Sequence, residues 1–213
     1  TGAPGDAATL NATPRTCTYC HFGAAAPAVT IEVLNADSTP VSNYIPGQQY
    51  IARVRIVHPD TTLKGFGFQM IALRDSGNTD LDGFIDPGNN TVNNYKLATI
   101  PNGRTYAEHD NVSVNHNRFS VIWTAPAAGT GPVTFYAAGN AVNRNGSTSG
   151  DGAASAILHL PEAMPLASGD PVAPVLDLRV WPNPVWETVQ VDLFLYHAGR
   201  YRFTLYDASA RVV

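Results

Sequence analysis

The chain has 213 residues, a length that fits one or two domains. Charged side chains make up 14% of it, well below the roughly 25% of an average soluble domain, and Asn, Thr, Ser, Gly and Pro take their place. This composition favours an exported β protein over a cytosolic helical enzyme, and a net charge of −4 excludes the basic surface that nucleic-acid binding needs.

The first segment, residues 1–27, is rich in Gly, Ala, Pro and Thr, and it predicts little regular structure. Its opening Thr1-Gly2-Ala3-Pro4, with no initiating Met and no signal peptide, is typical of a mature chain after processing. No apolar run approaches the roughly 20 residues of a membrane-spanning helix, so we predict that the chain is not transmembrane.

Short alternating and β-branched runs predict strands from residue 28 onwards, and turn formers such as Asn145-Gly146 separate them. No stretch shows a helical period with caps, so the pattern predicts an all-β fold, an antiparallel β-sandwich over residues 28–160. The predicted strands are Ala28–Leu34, Tyr50–Val57, Gly65–Leu73, Tyr95–Ile100, Arg104–His109, Arg118–Thr124, Pro132–Ala138 and Ala153–Leu160.

A proline-rich stretch at residues 161–175 is typical of a linker. Residues 176–213 after it predict a small β unit of three strands, at Leu176–Val180, Thr188–Tyr196 and Arg200–Tyr206.

The strongest chemical motif is Cys17-Thr18-Tyr19-Cys20-His21, a Cys-x-x-Cys-His sequence. Two thiols at this spacing can add to the two vinyl groups of a porphyrin, and His21 then presents an imidazole to the iron. Both of the chain's 2 cysteines fall in the motif, with the histidine directly after them. The sequence therefore predicts one covalently attached haem c, with Cys17, Cys20 and His21 binding it and His21 as the proximal iron ligand.

Two other interpretations of the motif remain. The cysteines can form a small disulfide or a reduced redox pair, although such motifs normally lie near a βαβ pattern and this one lies in a Gly/Ala/Pro segment. A zinc site is weaker still, because the chain has no second pair of cysteines.

The sixth iron ligand has several candidates. We favour His109, which ends a predicted strand, and His116 in the loop that follows is the alternative; a five-coordinate iron also remains open. Met70 and His159 lie in strands, and His58 and His197 are expected at the surface. The full candidate set is His58, His109, His116, His159, His197, Met70 and Met164.

A polar loop from Asp75 to Asn90 contains a candidate calcium site. Asn78, Asp80 and Asp82 alternate in it and Gly83 follows, as at the start of an EF-hand loop. The closing Glu is missing, since the twelfth position is Asn89, and no helix flanks the loop. The alternative is a polar hairpin loop, in which Asp, Asn and Gly favour turn geometry.

Several segments of residues 1–160 resemble the reeler-like choice-of-anchor domain of bacterial surface proteins. The resemblance implies an immunoglobulin-like sandwich and an exported protein. In that family a Tyr-x-x-His segment is common, and Tyr106-Ala107-Glu108-His109 matches it, which supports His109. The segments that carry the resemblance are Thr1–Asp6, Cys17–His21, Gly67–Gln69, Trp123–Pro126, Val133–Ala141 and Asn145–Asp151.

Val180-Trp181-Pro182-Asn183-Pro184 and Phe203-Thr204-Leu205-Tyr206-Asp207 resemble the C-terminal sorting domain of type IX secretion. This implies export to the cell surface or the medium. Such domains usually continue well beyond the equivalent of Asp207, so the small unit is a partial one. Three strands leave exposed edges. Either the rest of the domain was removed or is not part of this sequence, or a neighbouring subunit completes the sheet, which would give a homo-polymer.

The sequence therefore predicts an extracellular monohaem c-type cytochrome that transfers electrons at the cell surface and is not an enzyme. The alternative is a structural or adhesive surface protein with a Cys17–Cys20 disulfide and a calcium-binding loop. A small haem enzyme or gas sensor would require an open coordination site at the iron. No motif identifies the redox partner.

Overall fold

Alternation of apolar and polar residues gives the chain its strands, as in Tyr50–Val57, where every second side chain is buried. The computed structural model describes residues 1–6, 15–88, 95–100, 103–111, 113–114, 116–163, 175–181, 187–195, 204 and 211. The chain divides into two units, Thr1–Ala163 and Met164–Val213. Almost all regular structure in the described residues is β, which confirms the predicted all-β sandwich.

The strands are β1 (Phe22–Gly23), β2 (Ala28–Leu34), β3 (Gln49–Val57), β4 (Gly65–Arg74), β5 (Thr79–Asp80), β6 (Tyr95–Thr99), β7 (Thr105–His109), β8 (Ser113–Val114), β9 (Arg118–Thr124), β10 (Val133–Val142), β11 (Ser149–Leu160), β12 (Val175–Trp181) and β13 (Gln190–Leu195). Two short 3-10 turns, Cys17–Tyr19 and Ser76–Asn78, accompany them. No helix in the described residues is long and apolar enough to span a bilayer.

The first unit consists of two sheets. The smaller has the order β2-β3-β9, and the larger has the order β1-β11-β10-β4-β7-β6, with β5 and β8 also pairing to β4. The described pairs are antiparallel except for β1, which lies parallel to β11. The predicted sandwich therefore has one parallel edge, and the segment that contains the cysteines forms it.

Trp123 lies at the centre of the core between the sheets. It is fully buried and packs edge-on against Phe135 at 4.9 Å and Tyr44 at 5.7 Å between ring centroids. Such aromatic pairs fix the separation of the two sheets and contribute a large share of the buried apolar area. Phe68 stacks on Phe119 at 4.4 Å in the same core.

The central strands β4 and β10 are buried on both faces, because the N-terminal segment covers the outer face of the larger sheet. A second, small cluster forms there from Ala3, Ile71, Leu73 and Tyr106. The side chain of Asp6 holds the segment in place, since it accepts a hydrogen bond from the Tyr106 hydroxyl at 2.5 Å. Arg104 also pairs with Asp6, at 3.3 Å. The N-terminal residues are thus packed against the sandwich next to the cysteine motif.

In the second unit β12 and β13 form a two-stranded antiparallel sheet, with Val180 opposite Val191. The third predicted strand, Arg200–Tyr206, lies outside the described residues except for Thr204.

Candidate functional site

The cysteine motif folds into one tight turn before the chain enters the large sheet. The Thr16 side chain accepts a hydrogen bond from the Thr18 amide at 3.2 Å, which begins the 3-10 turn. The His21 amide donates to the Cys17 carbonyl at 2.9 Å and closes the turn. The next two residues are β1, so pairing with β11 fixes the position of the motif.

Two cavities meet at the motif, and they share His21, Gly67, His109 and Asn140 in their walls. The cysteine-side cavity has a volume of about 360 Å³ and is lined in addition by Thr1, Arg15, Thr16, Cys17, Cys20, Phe68, Gln69 and Glu108. The arginine-side cavity has a volume of about 460 Å³ and is lined in addition by Phe66, Val142, Arg144, Gly146, Ser147, Thr148 and Asp151. Volumes of this size are typical of cofactor sites.

His21 is oriented by a buried carboxylate. Its Nδ1 lies 2.8 Å from Oδ2 of Asp151, and the Asp151 side chain is only 1% exposed. The other carboxylate oxygen accepts a hydrogen bond from the Asn143 amide at 3.0 Å. Because the carboxylate accepts from Nδ1–H, the Nε2 lone pair of a neutral His21 is free to bind a metal.

His109, at the end of β7, is held by the backbone of β4. Its Nδ1 lies 3.0 Å from the Phe68 carbonyl and 3.2 Å from the Phe68 amide. In the tautomer that donates from Nδ1 to the carbonyl, Nε2 is again the atom left to bind a metal. The structure thus brings together the two histidines that the sequence favoured as iron ligands.

Gly67 leaves the space that His109 needs. A Cβ at this position would lie 2.9 Å from Cε1 of His109 and 2.8 Å from Oδ1 of Asn140. Real Cβ atoms do not approach so closely, so only glycine lets the imidazole and the amide lie against β4. A glycine inside a strand often marks such a close approach.

Cys17 and Cys20 are both thiols and line the cysteine-side cavity with His21. Burial raises the pKa of the Cys17 thiol, and the nearby N-terminal ammonium opposes this in part. Cys17 therefore favours the protonated thiol.

The other candidate iron ligands lie away from the two cavities or lack a free donor. Both ring nitrogens of His58 are engaged, Nε2 with the Ala25 carbonyl at 2.6 Å and Nδ1 with the Asp60 amide at 2.9 Å. His159 contacts Thr134 at 2.7 Å, and Met70 is fully buried in the core. His116 is exposed and does not line either cavity. Met164 and His197 lie outside the described residues.

The loop with Asn78, Asp80 and Asp82 uses its oxygens within the protein. Asp80 accepts hydrogen bonds from the amides of Asp82 at 3.1 Å and Thr105 at 2.6 Å, and the Asn78 carbonyl accepts from the Arg104 guanidinium at 3.0 Å. No group of three or more His, Cys, Asp or Glu is placed to hold a metal ion in the part of the chain that is described. Calcium binding by this loop stays a prediction.

The residues of the two cavities fit a c-type haem. Two thiols and one imidazole come from the motif, and a second imidazole lines the same cavities with its Nδ1 already hydrogen bonded. The sequence missed Asp151, Gly67 and Asn140 as members of the site. In the sequence, Asp151 is a single acidic residue between Gly150 and Gly152. This pattern also fits an ordinary turn, so it did not indicate a role at the site.

No family model and no curated protein matches the chain. Among solved structures, it is similar to the Reelin-N domain of F-spondin, with 19% identity and a TM-score of 0.45 over 70% of this chain and 96% of that chain. The human F-spondin reeler domain (fragment 1) gives 21% identity and a TM-score of 0.43, covering 67% of this chain and 95% of that chain. A DUF4466 family protein from Parabacteroides merdae has 16% sequence identity and a TM-score of 0.35, and the match covers 62% of this chain and 44% of that chain. These values do not assign the chain to a family, and we infer its function from the residues of the site.

Proposed function

We propose that this chain is an exported electron-transfer protein with one haem c attached through Cys17 and Cys20. His21 and His109 are its two iron ligands. One observation carries the proposal: His21, held by buried Asp151, and His109, held by the Phe68 backbone, line the cysteine-side cavity together with Cys17 and Cys20, and each presents Nε2 to a metal when its ring is protonated at Nδ1.

A bound haem c supplies an iron that accepts and releases one electron. The chain's own residues hold it and set its surroundings. The thiols of Cys17 and Cys20 fix it covalently, and Asp151 orients His21 and strengthens it as a donor. Phe66 and Val142 add apolar surface to the arginine-side cavity, which lowers the access of water.

The proposal excludes catalysis at the iron. With His21 and His109 both bound to it, the iron would have no open position for a substrate, peroxide or gas. We therefore propose that the protein is not an enzyme.

Export and a place at the cell surface belong to the same proposal. They are supported by the low content of charged residues and by the similarity of the Val180–Pro184 and Phe203–Asp207 segments to a type IX sorting domain. A surface location would put the haem where electrons can pass to an external acceptor.

The test is an optical spectrum of the purified full chain, produced in a host that attaches haem c, together with its intact mass. We expect the added mass of one haem, a Soret band, and a sharp reduced α-band typical of a low-spin, six-coordinate iron. Replacing both cysteines by serine should abolish the covalent haem mass.

Two matched variants identify the distal ligand. His109→Ala should convert the spectrum to a high-spin form, whereas His116→Ala should leave it unchanged. The opposite pattern would assign His116. A chain without Soret absorbance whose mass is short by two hydrogens would overturn the proposal in favour of a structural or adhesive protein with a Cys17–Cys20 disulfide.

A further inference from the structure

The arginine-side cavity contains an arginine with no partner. Arg144 lines this cavity, is exposed, and makes no hydrogen bond or ion pair with the described residues. Other arginines near the site are engaged: Arg15 lies over the Tyr19 ring at 4.4 Å, and Arg104 pairs with Asp6 at 3.3 Å. A guanidinium has five donors in a planar fork, and a carboxylate is the group that this fork fits best.

Asn140 is a second polar group without a partner in the same place. Asn140 is only 8% exposed and lines both cavities. Its side-chain amide makes no hydrogen bond with the described residues. Among the described residues only Nε1 of Trp123 is a fully buried side-chain polar atom without a partner, so the Asn140 amide reaches the cavity and can bond to a group that enters it.

We propose that Arg144 binds a carboxylate, and that this carboxylate is a propionate of the haem; the inference rests on the proposed function. The two vinyl groups and the two propionates lie on opposite edges of a haem. The cysteines that take up the vinyl groups line one cavity, and Arg144 lines the other. Arg144 therefore lies on the side where the propionates belong.

The other polar groups of the arginine-side cavity agree with this assignment. Asp151 is the acidic residue in the wall, but its carboxylate is already bonded to His21 and to the Asn143 amide. Ser147 and Thr148 add hydroxyl donors at the same end as Arg144. Arg144 also adopts a positive φ of 61°, a conformation that costs energy outside glycine and is often retained at binding sites.

The experiment compares the haem-loaded wild type with Arg144→Gln, and with Arg118→Gln on β9 as the matched control. Each protein is treated with a carbodiimide and an amine, which converts accessible carboxylates to amides. The haem peptide is then released by proteolysis, and its mass reports amide formation on the propionates alone. We expect several-fold faster modification of one propionate in Arg144→Gln and wild-type rates in Arg118→Gln.

The midpoint reduction potential is a second readout. The ferrous haem carries one positive charge fewer than the ferric form, so a nearby guanidinium favours reduction. Arg144→Gln should lower the midpoint potential, and Arg144→Lys should restore most of it, while Arg118→Gln leaves it unchanged.

The outcomes separate the two proposals. A wild type without haem mass overturns the proposed function, and this inference with it. A normal haem spectrum with equal modification rates and equal potentials in all variants overturns only the role of Arg144. A wild-type potential that depends on added inorganic phosphate, with the dependence lost in Arg144→Gln, would assign Arg144 to a free anion and overturn the propionate assignment.

Discussion

In the proposed function, Asp151 acts on His21, the proposed iron ligand, through a single hydrogen bond. A carboxylate at 2.8 Å from Nδ1 gives His21 part of the character of an imidazolate. A stronger donor stabilises the ferric over the ferrous iron. The buried position of Asp151, with 1% of its side chain exposed, keeps water from weakening this effect.

Asp151→Asn should therefore raise the midpoint potential while the haem stays attached. The amide oxygen can still accept from the Nδ1–H of His21, but the negative charge is gone. A spectroelectrochemical titration measures the change, with Asp192→Asn, an exposed residue of the second unit, as the control. Equal potentials in all three proteins would mean that Asp151 serves only the packing of β11.

Gly67→Ala should displace His109 from the iron. The added Cβ would lie 2.9 Å from Cε1 of the imidazole, on a backbone that is paired with Asn140 of β10. The spectrum should change toward a high-spin form, as in His109→Ala.

Gly139→Ala is the matched control for general destabilisation. Its Cβ would meet Ile56 at 2.7 Å in the core, away from both histidines. We expect it to lose stability to denaturant but to keep the low-spin spectrum. A low-spin spectrum in Gly67→Ala as well would contradict the assigned position of His109.

The sequence identified some residues of the site and missed others for a physical reason. The motif of Cys17, Cys20 and His21 is local, and its spacing alone indicates haem attachment. Asp151 and Gly67 join the site only through strand pairing, and nothing near them in the sequence shows what they will face. His109 was favoured among several histidines, and its place in the wall of both cavities and its contact with Phe68 distinguish it structurally from His116.

Among the elements, the connection before β10 shows how one side chain can hold a loop. Glu162 accepts hydrogen bonds from the amides of Gly129 at 2.8 Å and Gly131 at 2.7 Å, and the Tyr44 hydroxyl lies 3.4 Å away. These bonds lower the pKa of the Glu162 carboxyl from its ordinary value of 4.5. Burial and the Glu162 charge raise the pKa of Tyr44 to about 12.

Glu162→Gln should remove a pH-dependent part of the stability. Because the folded-state pKa of Glu162 is lowered, its contribution is fully present above the ordinary value of 4.5 and is lost as the pH falls through the folded-state pKa. The wild type should exceed the variant in free energy of unfolding at neutral pH, and the difference should shrink below pH 4.5. Urea unfolding of both proteins at several pH values measures it; a constant difference would show that Glu162 does not titrate with folding.

Clear alternation made some strands predictable, and its absence hid others. β9 is Arg118–Thr124, as predicted, because Phe119, Val121 and Trp123 alternate with polar or exposed positions. β10 runs to Val142 and β11 begins at Ser149, beyond the predicted ends, because both faces are covered there and small residues replace the alternating pattern. The two-residue strands β1, β5 and β8 are set by pairing with their neighbours and have no pattern of their own.

At the scale of the whole molecule, the second unit presents apolar strands to solvent. Val180 and Val191 face each other across β12 and β13 and are 49% and 42% exposed. A two-stranded sheet is marginally stable alone and has edges that can pair with another chain. The predicted homo-polymer would cover this surface with a second copy.

Replacing Val180 and Val191 together by lysine should abolish association. Light scattering of the full wild-type chain is expected to show large species, and the double variant should be monomeric because two like charges lie directly opposite each other. Ile157→Lys, an exposed apolar position on β11, is the control that should still associate. A monodisperse monomer from the wild type would contradict the polymer.

The contact between His21 and Asp151 joins residues that are 130 positions apart. It can therefore form only late in synthesis of the chain. The cysteine motif is made early in synthesis, whereas its carboxylate partner exists only after most of the chain has emerged. If haem attachment needed only the cysteine motif, it would take place before β11 and the rest of the cavity had formed. Under the proposed function, the sandwich would then close around a cofactor already attached to the chain.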